Sequence, residues 1–224
     1  VLEQHGHVDV RINNAGRSIR RSIALSYDRF HDFERTMQLN YFGALKLILS
    51  LLPAMRKRTK GRKGGHIINV SSIGVQTHTP RFSAYVASKA ALDAWARCVA
   101  SEMIDDGVHI TTIYMPLVRT PMIAPTKMYD AFPTITPEEA AEMITQAMIT
   151  KPKKVATRLG NFGEILYNVA PKASDAILNT AYKLFPESKA AKGKEKKEDG
   201  KPSKDEELSS EGVAFAYLMR GVHW

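Results

Sequence analysis

The chain holds a single cysteine, Cys98, in 224 residues. An internal disulfide is impossible and a thiolate zinc site has no second ligand, so disulfide frameworks and zinc fingers drop out together. Reducing cytoplasm is the compartment expected. Long apolar runs are also missing. No stretch approaches the ~18 consecutive apolar residues of a membrane span, and the opening VLEQHGHVDV lacks the basic start and apolar core of a signal peptide. No transmembrane segment is expected, and peripheral membrane contact stays open. The seven histidines lack any ligand spacing such as His-x-x-x-His, so each reads as surface or satisfied core and no metal is expected.

What the chain does carry is an excess of positive charge, a net +9. From Glu187 to Glu211, seven lysines stand against eight acidic residues, so the excess belongs to the rest of the chain. It gathers at Arg17, Arg20 and Arg21, and again at Arg56, Lys57, Arg58, Lys60, Arg62 and Lys63. No aromatic residues interleave with the second cluster, as a stacking platform for nucleic acid requires, so nucleic acid is not an expected partner. With 44% hydrophobic and 25% charged residues, this length suits one globular core.

Apolar patterning then orders the chain. Val8 to Asn13 reads as a buried strand that stops at the turn Asn-Asn-Ala-Gly. Phe33, Met37, Tyr41, Ala44, Ile48, Leu51 and Met55 recur at helical spacing, predicting one long helix from about Asp32 to Arg58. His66 to Val70 is a second strand leading into Ser71 and Ser72. Ser83 to about Asp106 is Ala-rich and helix-favouring, and Val108 to Met115 is β-branched and stops at Pro116. Thr136-Pro-Glu-Glu starts a helix that runs to about Thr150, Val155 to Thr157 is a short last strand, and 161–185 is helical with a break at Pro171. Strand, helix, strand, helix, strand is the alternation of a parallel sheet covered on both faces, and ligands of such sheets bind beyond the carboxyl ends of the strands. Asn14, Ser72 and Pro116 fall there. Residues 187–211 are polar and charged, predicting a disordered linker, and 212–224 can form a small amphipathic helix.

Tyr85 and Lys89 lie four apart on the predicted helix, which sets both side chains on one face. An ammonium held there favours phenolate and lowers the phenol pKa toward neutrality, where the group can exchange a proton with a substrate oxygen. The spacing alone is common by chance. On the residues alone, Asn40 also reads as a solvent-facing polar residue, Ser71 as an alternative to Ser72, the three arginines as a solvated face, and Cys98 as core.

Context sharpens this. NNAG at 13–16, Asn40 in the first helix, Ser72 after a strand, YVASK at 85–89 and the Pro116 turn, in that order, resemble the motif set of the short-chain dehydrogenase/reductase family over roughly residues 1–160. The resemblance implies an α/β, doubly wound parallel sheet of the Rossmann-like kind with a C-terminal helical extension. It implies Tyr85 as general acid/base, Lys89 as the residue that binds the nicotinamide ribose and tunes Tyr85, and Ser72 as the hydroxyl on the substrate carbonyl. Asn40 resembles the helix residue whose carbonyl holds a proton-relay water. Asn14, Ala15 and Gly16 would approach the cofactor, and Val118 and Thr120 the carboxamide. In the turn after Pro116, Leu117 stands where the family usually has Gly.

Two longer stretches, NNAGRSIRRSI running into SYDRFHDFERTMQLNYFGA, and YMPLVRTPMIAPTKMYD, resemble bacterial fatty acyl-CoA reductases. This implies NADPH-dependent reduction of a long-chain acyl-CoA to the fatty aldehyde with release of CoA; reduction of an aldehyde or ketone, and a non-catalytic role, are the alternatives. Arg17, Arg20 and Arg21, at the active edge, would meet CoA phosphates, and Met128 and Phe132 would line an acyl tunnel or lid. A homo-oligomer through the two long helices is expected. The family's Gly-rich phosphate turn does not appear before the NNAG strand, so the chain is expected to be an N-terminally truncated, inactive fragment: 1–186 the later part of the reductase domain with its extension, 187–211 linker, 212–224 helix.

Overall fold

The computed structural model describes residues 1–57, 64–121, 123, 129, 131–187, 191 and 208–221. In chain order these form α1 (Leu2–His5), β1 (Val10–Asn13), a 3-10 turn (Ile23–Leu25), α2 (Phe30–Met37), a π-helical stretch (Gln38–Gly43), α3 (Ala44–Arg56), β2 (His66–Val70), α4 (Ile73–Thr77) and α5 (Ser83–Glu102). They continue as β3 (His109–Ile113), α6 (Pro137–Thr150), β4 (Lys154–Val155), α7 (Arg158–Val169), α8 (Pro171–Leu184) and α9 (Ser210–Gly221). The strands pair in parallel in the order β1-β2-β3-β4, with Asn13 opposite Asn69 and Asn69 opposite Thr112.

Alternation along the strands splits the core into two layers. Ile67 and Ile110 point to one face, against Ile48, Leu52 and Met55 of α3 and Leu92, Ala96 and Ala100 of α5. Ile68, Val70 and Ile113 point to the other, against Ile135 and the α6 residues Ala140 and Ala147. Helices cover both faces of a parallel sheet, which is the α/β, doubly wound architecture expected. β2 is buried along its whole length, as a central strand between two layers must be.

Local signals account for most element ends. Thr136 accepts the Glu139 N–H while the Glu139 carboxylate accepts the Thr136 N–H, a complete capping box, and Pro137 fills the first turn of α6. Pro171 opens α8, where its missing N–H costs nothing. The last strand is Lys154–Val155, two residues long, because Thr157 leaves the ladder to cap α7 through the Gly160 N–H.

Several elements depart from the sequence expectations. The long first helix is three segments, α2, the π-helical stretch and α3. α5 ends at Glu102, and β3 begins at His109 after Gly107, whose φ of 69° suits the turn between them. α4 has no counterpart among the predicted elements; its helix starts because the Ser72 hydroxyl accepts the Gly74 N–H at 3.1 Å. Cys98 is exposed rather than buried, on the face of α5 turned from the sheet. In the stretch expected to be linker, Glu187 and Ala191 are both held by side chains of the folded body, and 188–190 and 192–207 lie outside the described residues. The expected C-terminal helix is α9, which packs Gly212 against the Leu184 carbonyl and buries Ala216. Among the described residues no helix is long and apolar enough to cross a membrane.

A buried histidine ties the sheet to the chain before β4. Thr111 donates its hydroxyl proton to the Pro152 carbonyl, so the 2.8 Å contact with His66 has the ring Nε2–H as donor. Nδ1 is then buried with no partner among the described residues. Burial, reinforced by the charges of Lys151 and His109, pushes the His66 pKa down from 6.5 to about 4. The folded state therefore resists a proton that the unfolded chain accepts below pH 6.5, and stability is lost as pH falls from 6.5 toward 4, by up to about 3 kcal/mol. Urea denaturation at closely spaced pH values should show this slope, and His66→Gln should flatten it; an unchanged slope in the variant would mean that His66 is not its source.

Candidate active site

The carboxyl ends of β1, β2 and β3 open on one edge, and α5 brings Tyr85 and Lys89 across it. Lys89 is 5% exposed and donates to the Val70 carbonyl, the last of β2, at 2.8 Å. Ser72, two residues beyond the strand, hydrogen-bonds the Tyr85 hydroxyl. Asn40, at 1% exposure, lies in the π-helical stretch, so the solvent-facing reading is excluded. Its Oδ1 accepts the Arg17 N–H at 2.8 Å, and its Nδ2 donates to the Arg17 carbonyl and to Ser88 Oγ, each at 2.9 Å. Ser88 in turn donates to the Tyr85 carbonyl at 2.7 Å. Asn40, Ser72, Tyr85 and Lys89 are thus gathered within one hydrogen-bonded neighbourhood, and Ser71 is buried with an unpartnered hydroxyl among the described residues.

Burial governs the charges here. It raises the Tyr85 pKa, and the Ser72 hydrogen bond pulls it only part of the way back. It lowers the Lys89 pKa from 10.5 to about 8. This reverses the direction predicted for Tyr85 from helical spacing. Lys89 spends its reach on the Val70 carbonyl, so the lysine four residues on does not draw a proton from the phenol. Tyr85 is consequently a phenol at neutral pH, the form that donates a proton.

Asn14 and Ala15 are exposed where the chain leaves β1. At Gly16 a Cβ would fall 3.2 Å from Lys89 Nζ and 3.4 Å from Asn40 Oδ1, so the backbone passes against both only because no side chain intervenes. After β3, the Ile135 N–H bonds the Leu117 carbonyl and the Arg119 N–H bonds the Ile135 carbonyl, which pins both ends of the intervening segment beside Val118 and Thr120. Leu117 has no left-handed backbone torsion, so the position does not demand glycine. A nicotinamide cofactor fits this edge: Gly16 leaves a cradle that a methyl group would fill, and Lys89 has one N–H committed to Val70 out of three.

The three arginines divide. Arg17 is exposed at the edge. Arg20 donates to the Pro186 carbonyl at 2.6 Å, and Arg21 pairs with Asp32 at 3.2 Å and donates to the Ala191 carbonyl, so both are engaged with the chain itself. Burial works to raise the Asp32 pKa, but the Arg29 hydrogen bond and the charges of Arg29, Arg21 and His31 outweigh it and hold the carboxyl below its usual range. Phe132 packs against Phe185 with ring centroids 4.9 Å apart and planes inclined by 52°, and Met128 lies outside the described residues. Sequence patterning misses Ser88, which shares Asn40 with Arg17, and the contacts of Arg81 and Glu187. Ser88 lies inside the YVASK motif as an ordinary helical serine, and only the fold shows what its hydroxyl reaches.

Residues 1–129 match the family described as short chain dehydrogenase. Over all 224 residues the chain is 54% identical to a fatty acyl-CoA reductase of Acinetobacter baylyi and spans 71% of that protein. Over 179 residues, 80% of the chain, it is 49% identical to a fatty acyl-CoA reductase of Mycobacterium tuberculosis, spanning 60% of it. The crystal structure of a short chain dehydrogenase from Burkholderia cenocepacia in complex with NADP shares the fold at a TM-score of 0.67, with 23% identity, over 79% of this chain and 70% of that one.

Replacing Asn40 with Ala strands the Arg17 N–H and carbonyl and the Ser88 hydroxyl at once. The expected result is a loss of about 2–3 kcal/mol in the free energy of unfolding, measured by urea titration, together with weaker cofactor binding because residues 14–17 lose their anchor. A stability change under about 0.5 kcal/mol would show that solvent replaces the amide.

Proposed function

Because the chain belongs to the short-chain dehydrogenase family and is an oxidoreductase of that family, we propose that it reduces a long-chain fatty acyl-CoA thioester to the fatty aldehyde, with release of CoA and with NADPH as the preferred cofactor. The observation that carries the reading is the pair of hydroxyls at the edge of the sheet: Ser72 hydrogen-bonded to a Tyr85 that burial keeps protonated. Such a pair grips a carbonyl oxygen and delivers a proton to it, which is what carbonyl reduction requires.

Asn14, Ala15, Gly16, Lys89, Val118 and Thr120 would hold the nicotinamide end of the cofactor. When bound, the reduced nicotinamide supplies the hydride to the carbonyl carbon. Ser72 orients the thioester oxygen and stabilises the charge that develops on it, and Tyr85 protonates it, leaving a hemithioacetal. Collapse of that species breaks the carbon–sulfur bond and frees aldehyde and thiol. Lys89 keeps a positive charge at the end of β2 up to about pH 8, and Asn40 fixes the loop on which cofactor and substrate meet. Arg17 is the arginine of its cluster left exposed to take a CoA phosphate. Reduction of a fatty aldehyde or ketone is the second reading; it uses the same pair of hydroxyls and releases no thiol.

Two measurements on the purified protein test this. Tyr85→Phe should lower turnover at least about a hundredfold, with little change in cofactor affinity, since the ring is retained and one proton donor is lost. A variant that keeps more than a tenth of wild-type turnover would show that the acid lies elsewhere. Incubation with palmitoyl-CoA and NADPH should release free thiol, read with a thiol-reactive dye, in step with NADPH oxidation. Brisk reduction of aldehydes or ketones without thiol release would move the assignment to the second reading.

A further inference from the structure

We infer that Glu187, beyond the end of α8, is a positioning residue for Tyr85, acting through Arg81; the inference rests on the reading above in which Tyr85 is the proton donor. Arg81 stands two residues before α5, in the left-handed region at φ 70°, where a side chain clashes with its own backbone. Such a residue keeps that conformation only when its surroundings over-determine it. The surroundings here are explicit. Arg81 Nε donates to Glu187 Oε1 at 3.0 Å, with side chains 7% and 12% exposed, an ion pair largely shielded from solvent. Arg81 Nη1 donates to the Tyr182 carbonyl at 3.0 Å, and its guanidinium lies 4.0 Å over the Tyr182 ring. The Arg81 carbonyl accepts the Arg21 N–H at 2.6 Å.

Glu187 reaches further than this pair. The same Oε1 accepts the Ser22 N–H at 3.1 Å, while Arg20 and Arg21 hold the carbonyls of Pro186 and Ala191 on either side. One carboxylate therefore joins three segments: the loop after β1, the turn before α5, and the chain that follows α8. The path to Tyr85 is short. Phe82, next to Arg81, accepts the Val86 N–H at 2.7 Å to start α5, and its ring lies 6.3 Å from that of Tyr85. Without the carboxylate, Arg81 relaxes toward negative φ, the first turn of α5 rotates, and Tyr85 loses its alignment with Ser72.

A residue that adopts φ 70° without strain should then no longer need Glu187. In Glu187→Ala, kcat should fall about tenfold or more, the scale on which small misplacements act, while cofactor Kd stays within about twofold. The double variant Arg81→Gly with Glu187→Ala should recover kcat to within about threefold of wild type, which a merely structural role for Glu187 does not predict. Hydrogen exchange of the amides of 82–86, faster in Glu187→Ala and restored in the double variant, reads the same event without any substrate. It thereby separates a failure here from a wrong substrate assignment, and kcat is taken with whichever carbonyl the wild type reduces. If the alanine variant does not fold, Glu187→Gln, which keeps the volume and an acceptor for Ser22, is judged by the same criteria. A kcat within about twofold of wild type with unchanged exchange, or a double variant as impaired as Glu187→Ala, would overturn the inference.

Discussion

The arrangement of this site depends on one side chain acting as a piece of backbone. Residues 14–17 leave the sheet at the end of β1, where no neighbouring strand can satisfy their amides, and Asn40 meets both the N–H and the carbonyl of Arg17 as a paired strand would. It lies in the π-helical stretch Gln38–Gly43, on the same inward stripe as Thr36 and Ile48, at 1% exposure, whereas Leu39 and Phe42 remain exposed. Once Arg17 is fixed, Gly16 is fixed against Lys89, and Lys89 against the end of β2.

That dependence also explains which features are legible in the amino-acid sequence and which are not. Strands with buried runs, the Thr136 capping box and the break at Pro171 are written in neighbouring residues, and they lie close to their predicted places. The edge of the sheet on which Ser72, Tyr85 and Asn14 meet follows from strand–helix alternation, so their gathering is legible too. The π-helical stretch is not, because its apolar residues keep a spacing that a regular helix also explains. Nor is α4, five residues long and begun by a serine already assigned to chemistry. Glu187 is hidden inside a charged run whose composition reads as solvated chain, and its partner Arg81 stands 106 residues away along the sequence. Arg20 and Arg21 share a sequence pattern with Arg17; only the return of the chain after α8 separates two buried clamps from one exposed cation.

Helical spacing is a poor guide to electrostatics even where it is a good guide to position. Tyr85 and Lys89 do share a face of α5, yet each is moved by burial toward its neutral form, the phenol upward and the ammonium downward. Desolvation dominates both, and the lysine's ammonium is turned to a backbone carbonyl, the last of β2. Burial thus holds the proton on the phenol and loosens it on the ammonium, and what remains to be decided at this edge is the identity of the acceptor.

The exposure of Cys98 gives the molecule a built-in reference point. It is the chain's single thiol, and it lies thirteen residues beyond Tyr85 on the same continuous helix, about 20 Å along the axis. A fluorophore or spin label attached there rides rigidly with the helix that bears Tyr85 and stays clear of the sheet edge. Distances from that label to a second probe on α9 would follow, in real time and in solution, whether the C-terminal helix keeps its station while the catalytic edge is at work.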